Sequence, residues 1–377
     1  MCNIEDDWVS CISKICLLPI EMEEYRIIGL MSGTSLDGLD VVDVSFFRTR
    51  GKWKFELHHA KTYSYSKAMR SKIALAPEYS ALDMSLLSVE LSRYYGEKVN
   101  AFISENIIER NKIDAIASHG QTIFHQPEKS MTLQIGNTPH LTVITGLKSV
   151  VDFRTEDVAY GGNGAPLIPV ADFYLFSDLA DGFLNIGGFS NLSFQDNGVV
   201  RSYDVSPANI VINHLVNERR GILMDKGGEI ARKGKLDNVL FDQLEALKFY
   251  KENGPKSLGW EWVESEVLPL LDNVAPLEDQ LNTYVHHISK QIGSSLNKNN
   301  LSTVMVTGGG AHNHFLMETL QDNFKGKLVL PEKGIIDFKE AIGFAFLGLL
   351  KSLGEVNVFK SVTGALKDTC SGVVYTP

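Results

Sequence analysis

Small residues, hydroxyl residues and two carboxylates are concentrated in one short segment, Gly29 to Asp40. Its glycines and hydroxyls would offer N–H and O–H groups to a polyphosphate, and its carboxylates could hold a metal ion against the phosphates. We therefore predict a nucleotide site here, with Asp37 as a Mg²⁺ ligand; a purely structural hairpin is the alternative. The predicted nucleotide contacts in this segment are Gly33, Thr34, Ser35, Leu36, Asp37, Gly38 and Asp40.

Two further glycine-rich turns have a similar composition. One contains Gly187 and Gly188, with Asn191 close behind, between two apolar runs; Gly187 lies 154 positions after Gly33. The other follows an apolar run at 303–306 and precedes a predicted helix, and it contributes Gly308, Gly309, Gly310 and Asn313. The repetition predicts two related α/β lobes with a cleft between them.

The two commonest glycine-rich nucleotide motifs do not fit this chain. A Walker A loop requires G-x-x-x-x-G-K-[ST], and that string is absent from the sequence. In a Rossmann turn the glycines open a helix, whereas residues 39–47 alternate like a strand. A strand–turn–strand phosphate hairpin is therefore the favoured interpretation.

Asp204 is a candidate general base. It ends an apolar run at 199–204, and Ser206 with Pro207 resembles an N-cap followed by a first helical residue. A carboxylate just before a helix N-terminus is stabilised as the anion, which suits a proton acceptor. A residue that only assists helix capping is the alternative.

Four other polar residues are candidates for contacts with a substrate. Arg154 could clamp a phosphate or carboxylate, or could form a surface ion pair. His119 and Gln121 end a buried-type strand, where ligand contacts are common, although a buried structural histidine would look the same. Glu340 is predicted to start the apolar helix 341–350, a position that the helix dipole favours without any function.

The elements that must position these residues alternate between strand and helix. The first part of the chain predicts strands at 25–30, 40–47 and 52–62, helices at 66–75 and 83–108, and strands at 113–117, 132–135 and 149–153. The fold class is α/β. We predict a first lobe at 25–145 with a C-terminal segment at about 366–377, and a second lobe at 146–365.

Composition limits the function classes. The chain has 377 residues, 44% of them hydrophobic, and its net charge of −10 argues against nonspecific nucleic-acid binding. No apolar run is long enough to cross a bilayer, and four cysteines without a metal or redox spacing favour a reducing, cytoplasmic location. Residues 1–24 are acidic and predict a short, disordered extension or an upstream start.

Taken together, these strings resemble the anhydro-N-acetylmuramic acid kinase family, from about Tyr25 to Pro377. The resemblance implies a two-lobe, actin-like ATPase fold of the ribonuclease H type with a central cleft. It rests on the three glycine-rich turns, on Asp204, and on the segments 118–122, 133–137, 152–166, 225–228, 254–257 and 362–365.

The resemblance implies an ATP- and Mg²⁺-dependent enzyme of cell-wall recycling. The family opens the 1,6-anhydro ring of its amino sugar with water and phosphorylates the freed six-position oxygen, giving N-acetylmuramic acid 6-phosphate. It implies that Asp204 and Glu340 are the catalytic residues, with Asp204 as the base and Glu340 near the sugar. His119, Gln121, Arg154 and Asn209 are the other expected sugar contacts, and a homodimer is expected.

The sequence departs from the family pattern at several places, including Thr155 and Glu156, which stand where the family has basic residues. Ser206 and Ala208 stand where the family has glycines, and Leu258 and Trp260 stand where it has threonine and arginine. Substrate preference could therefore differ. A kinase for another amino sugar without ring opening, or a nucleotide-gated binding protein, is the rival interpretation.

Overall fold

A computed structural model describes residues 22–33, 36–251, 258–271 and 275–377. Residues 1–21 of the predicted extension, 1–24, lie outside the described residues. Its last two residues belong to β1, which starts at Glu23. The described residues form twelve strands: β1 Glu23–Ser32, β2 Gly38–Thr49, β3 Lys52–Ser64, β4 Ala115–Gln126, β5 Met131–Ile135, β6 Ser149–Val151, β7 Gly182–Ile186, β8 Phe189–Asp196, β9 Val199–Pro207, β10 Thr303–Thr307, β11 Lys327–Val329 and β12 Val373–Tyr375.

Helices alternate with the strands, as expected for an α/β chain. They are α1 Lys67–Leu75, α2 Ala81–Glu105, α3 His140–Thr145, α4 Thr155–Ala159, α5 Pro169–Phe176, α6 Asn209–Arg220, α7 Asn238–Glu245, α8 Lys248–Lys251, α9 Trp260–Trp262, α10 Leu268–Leu271, α11 Leu277–Lys298, α12 His314–Asn323, α13 Lys333–Leu353 and α14 Lys360–Thr363. Among the described helices, none is long and apolar enough to cross a membrane.

The strands form two sheets that share one plan. In the first sheet the order is β12-β6-β4-β1-β2-β3, with β5 paired to β4; in the second it is β11-β10-β7-β8-β9. Each sheet begins with three antiparallel strands, and its first strand then pairs in parallel with a later one. This shared order confirms the predicted two-sheet α/β fold of the ribonuclease H type.

The hydrophobic cores of the two sheets draw their residues from different parts of the chain. The core on one face of the first sheet combines Ile27, Val42 and Val44 with α13 residues such as Ile342 and Phe346. The main core beside the second sheet is built from residues 184–336. We call the first sheet with its packed helices the first lobe, and the second sheet with its helices the second lobe.

Several elements differ from the predicted division of the lobes, among them α5, whose Val170 and Ala171 lie in the core of the first sheet. Strand β6 and helix α13 fall within 146–365, the predicted second lobe. However, β6 pairs with β4 and β12 of the first sheet, and α13 packs on that sheet. Parallel pairing with a distant strand and the return of a C-terminal helix are long-range contacts that local sequence patterns do not encode.

Candidate active site

The first glycine-rich turn joins β1 to β2 and is held by buried polar groups. The Ser32 hydroxyl donates to Oε1 of Gln121 at 2.5 Å and lies 2.7 Å from the Tyr65 hydroxyl. The Gln121 amide also donates to the Gly33 carbonyl, and its side chain is only 1% exposed. Gln121 thus supports the turn from beneath. Thr34 and Ser35, two of the predicted phosphate contacts, lie outside the described residues.

The rest of this turn brings carboxylates together. Leu36 closes the turn by donating its N–H to Gly33, and Gly38 opens β2. Burial raises the pKa of Asp40, against a hydrogen bond from Thr62; the charges of Asp37 and Asp337 raise it further. Asp37 itself is exposed, so it can reach a ligand, and as a metal ligand it stays a prediction.

The second and third glycine-rich turns meet beside β7. Gly187 and Gly188 join β7 to β8, and their carbonyls accept hydrogen bonds from the N–H groups that start α6. Gly308 has a φ of +82°, and a Cβ there would lie 2.7 Å from the Ile186 carbonyl oxygen. Close approach of the two turns therefore requires glycine at 308. Asn191 lies on β8, opposite Asp204 on β9.

A cavity of about 980 Å³ opens beside these turns. Asn209, Gly309 and Asn313 line it, together with Lys226 and Asp337. Its size suits a nucleotide. Gly310, the neighbour of Gly309, packs against Ile186, and the Asn313 side chain also caps α12 by accepting from Leu316 N–H at 3.0 Å.

Asn209 was expected among the sugar contacts, and it lies in this cavity with two predicted nucleotide contacts. Its side-chain amide donates to the Ile186 carbonyl at 3.3 Å, and α6 begins at Asn209 itself. The predicted N-cap at Ser206 is therefore wrong. Ser206 and Pro207 continue β9, where Ser206 N–H donates to the Ser190 hydroxyl, and Ala208 precedes the helix instead.

Asp204 is half-buried near the end of β9, in the second lobe. Its Oδ2 accepts a hydrogen bond from Leu258 N–H at 2.9 Å. An N–H donor stabilises the ionised carboxylate, which is the form that a general base needs. Trp260, at the position of the family's arginine, packs its ring 5.5 Å from that of His214. The departure at 258 thus contacts the predicted base directly.

His119 and Arg154 form a pair in the first lobe. Arg154 Nε donates to His119 Nε2 at 2.9 Å, and His119 Nδ1 lies 2.9 Å from the Gly120 carbonyl. Nε2 must accept, so the ring is assigned as the neutral Nδ1–H form. Burial and the Arg154 charge hold the pKa of His119 well below its usual range. The His119 ring also packs on Phe344 of α13.

Glu340 faces the same region from α13. The helix begins at Lys333, so Glu340 is two turns inside it, and the prediction that Glu340 starts the helix is wrong. Its side chain is open to water but crowded by protein, and this crowding raises the pKa of Glu340; Lys339 and Arg154 oppose the shift. His119, Arg154 and Glu340 therefore form one cluster, which we call the first-lobe polar cluster.

Two contributors were assigned no role from the sequence. The buried Asp157 carboxylate accepts from Gly164 N–H and from the Thr363 hydroxyl. Thr363 lay in a string that supported the resemblance, but nothing local linked it to Asp157. Leu258 was noted only as a departure, although its N–H contacts Asp204.

The curated relatives compared with this chain carry one family name. The chain is 32% identical to the anhydro-N-acetylmuramic acid kinase of Haemophilus influenzae, over 94% of this chain and 99% of that protein. It is 34% identical to that of Aliivibrio fischeri, over the same shares. A solved structure, component A of (R)-2-hydroxyglutaryl-CoA dehydratase from Acidaminococcus fermentans, is 12% identical, with a TM-score of 0.45 over 87% of this chain and 99% of that one.

The family model described as anhydro-N-acetylmuramic acid kinase matches residues 25–377, nearly the whole described chain. The match includes the three glycine-rich turns, Asp204 and the first-lobe polar cluster. The chain therefore belongs to the anhydro-N-acetylmuramic acid kinase family.

Proposed function

We propose that this kinase hydrolyses the 1,6-anhydro ring of anhydro-N-acetylmuramic acid while it transfers the γ-phosphoryl group of ATP to the six-position oxygen. The products are N-acetylmuramic acid 6-phosphate and ADP, in the recycling of peptidoglycan. The observation that carries this proposal is the position of Asp204: its carboxylate accepts the Leu258 N–H on the second lobe, which also bears the proposed nucleotide cavity.

The chemistry divides among groups of this chain. Asp204 takes a proton from water as the water oxygen bonds to the anomeric carbon. The bond from that carbon to the bridging oxygen breaks, and this oxygen attacks the γ-phosphorus, releasing ADP. Arg154 and Glu340 orient the sugar, because the pair presents a cation and a carboxylate from one cluster.

The turns would hold ATP. The N–H groups of the first turn and of Gly188 would surround the phosphates, and the cavity beside Asn209, Gly309 and Asn313 would hold the nucleoside. Within the described ranges no group of three His, Cys, Asp or Glu residues could hold a metal alone. Mg²⁺ usually needs only one or two carboxylates beside the phosphates, so Asp37 and Asp40 fit it. Mg²⁺ would neutralise phosphate charge.

Turnover with two sugars tests this proposal. The protein is incubated with ATP and either anhydro-N-acetylmuramic acid or the ring-opened sugar, and ADP release is followed. We expect ADP release with the anhydro sugar and a phosphate on its six-position oxygen by NMR. Turnover of the ring-opened sugar alone would favour the rival kinase, and no sugar-dependent ADP release would favour a binding protein.

Two further aspects are part of the proposal. We place the enzyme in the cytoplasm, where ATP is available and thiols stay reduced. We also expect a homodimer, with no nucleic acid or membrane partner; light scattering in solution measures the mass directly.

A further inference from the structure

The Arg154 guanidinium is fixed on two sides. Nε donates to His119, and Nη1 donates to the Gly164 carbonyl oxygen at 2.6 Å. The side chain is long and has several rotatable bonds, so these two acceptors decide where its remaining donors point. The position of the Gly164 carbonyl is therefore part of the sugar-binding geometry.

Gly164 is held in turn by Asp157. Its N–H donates to Oδ2 of Asp157 at 2.8 Å, and the carboxylate is fully buried. Oδ1 accepts from the Thr363 hydroxyl at 2.7 Å. A buried carboxylate is costly unless its oxygens are hydrogen-bonded, so the Thr363 hydroxyl is needed to keep Asp157 in place. A backbone hydrogen bond also joins the two segments: Asn163 N–H donates to the Thr363 carbonyl at 2.8 Å.

Thr363 reaches toward the second lobe as well. The segment 361–364 and the β9 residues Tyr203 and Val205 line one cavity of about 490 Å³. Tyr203 and Val205 flank Asp204 in the sequence. Thr363 therefore lies between the loop that holds Arg154 and the strand that carries the proposed base.

We propose that Thr363 is a positioning residue that acts through Asp157 and Gly164 to orient Arg154 toward the sugar. The proposal rests on the proposed function, because it takes Arg154 as a sugar contact. Asp157 also acts through its charge. Burial lowers the pKa of Arg154 to about 10, and the charges of Glu340 and Asp157 oppose this shift.

The kinetic test uses Thr363→Val, which keeps the branched shape and removes the hydroxyl. We expect the KM for the sugar to rise about tenfold, since a hydrogen bond to a charged group is lost, while kcat and the KM for ATP change less than about threefold. Thr363→Ser keeps the hydroxyl and should restore the sugar KM. The control, Thr369→Val, removes another buried hydroxyl of the C-terminal segment, which pairs with Ser371.

A second readout needs no turnover. Nitrogen-15 NMR of the histidine rings should show the Nδ1–H form of His119 in the wild type, with Nε2 unprotonated. Thr363→Val should displace Arg154, raise the pKa of His119 and mix its ring forms; Thr363→Ser and Thr369→Val should not.

The outcomes separate the two proposals. An unchanged sugar KM and His119 spectrum in a folded Thr363→Val protein would overturn the role of Thr363, and so would equal defects in the Val and Ser variants. If the wild type does not turn over the anhydro sugar, the proposed function fails, and the His119 spectrum still decides whether Thr363 orients Arg154.

Discussion

At the scale of single residues, the two carboxylates proposed to face the sugar have opposite environments. Asp204 accepts an N–H donor, which stabilises its charge. Glu340 has a raised pKa, because protein crowds it inside the cleft although its side chain is open to water. Carboxylates in such contrasting environments are suited to different roles in one reaction.

Asp204→Asn should greatly slow turnover while it keeps the ligands bound. The amide has the same shape but cannot accept the proton of water, so we expect kcat to fall about 10²- to 10⁴-fold. Calorimetric titration should give near-normal affinities for the sugar and an ATP analogue. Asp196→Asn, at an exposed position of the same sheet, is the control. Normal turnover by Asp204→Asn would remove Asp204 as the base.

Glu340→Gln should stabilise the protein at high pH and slow the reaction. A raised carboxyl pKa means that the folded state binds the proton more tightly than the unfolded state, whose value is near 4.5. Stability is therefore lost as the pH rises from about 4.5 through the folded-state pKa, and glutamine avoids this loss.

Thermal melts at pH 8 and pH 4.5 check this expectation. The Tm of Glu340→Gln should exceed the wild-type Tm at pH 8, and the difference should shrink at pH 4.5. Glu332→Gln, at the exposed start of the same helix, should change neither Tm. A lower Tm for Glu340→Gln at pH 8 would contradict the proposed cost of the Glu340 charge in its crowded environment.

The sequence predicted which residues form the site better than it predicted the environments of those residues. The sequence singled out His119, Arg154 and Glu340, which the fold brings into one cluster. It did not predict that Gln121 is buried beneath the first turn, because its partners Ser32 and Gly33 are about 88 positions away. The Asp157–Thr363 contact, across 206 positions, was beyond local reasoning for the same reason.

At the scale of elements, the glycine-rich turns depend on close backbone approach. Gly308 combines a positive φ with a near contact to Ile186, whereas Gly51, between β2 and β3, has a φ of +79° and open space around it. Substitutions at Gly308 and Gly51 therefore distinguish the effect of backbone strain from the effect of crowding.

Gly308→Ala should lower stability by about 1–3 kcal/mol and raise the KM for ATP, because the third turn must move away from β7. Gly51→Ala carries the strain alone, costs about 1 kcal/mol, and should leave the KM for ATP unchanged. Denaturant melts and initial rates measure both. Equal stability losses in the two variants would show that crowding at Gly308 has little effect.

Element boundaries were predictable where the pattern was local. The expected strand at 132–135 matches β5, and the expected helix at 66–75 matches α1. The predicted helix starts at Ser206 and Glu340 failed. Ser206 and Pro207 resemble a helix start, but Ser206 pairs with Ser190 and keeps the chain in β9. Glu340 precedes the most apolar stretch of α13, and the helix extends seven residues further toward its N-terminus.

At the scale of the whole molecule, the proposed site is divided between lobes. Asp204 and the nucleotide cavity belong mainly to the second sheet, whereas the first-lobe polar cluster and Asp40 belong to the first. His312 of the third turn contacts Asp337 of α13 at 2.6 Å, which links the two sets. Hydrolysis coupled to phosphoryl transfer requires both sets around one sugar.

Binding of both ligands should therefore bring the lobes together. Small-angle scattering should give a smaller radius of gyration with a non-hydrolysable ATP analogue and the anhydro sugar than without ligands, because the closed state makes contacts to both. The analogue alone should give a smaller change. An unchanged radius with both ligands at saturation would indicate that the unliganded lobes are already closed.

The return of α13 to the first sheet also affects synthesis of the chain. The main core of the second lobe comes from residues 184–336, so this core is synthesised as one continuous stretch. The first lobe lacks its covering helix until residues 333–353 emerge. At about 5–20 residues per second, its apolar sheet face waits on the order of ten seconds or more for that helix. The first lobe is thus synthesised first and completed last. Its apolar sheet face is the surface that we expect chaperones to bind during synthesis.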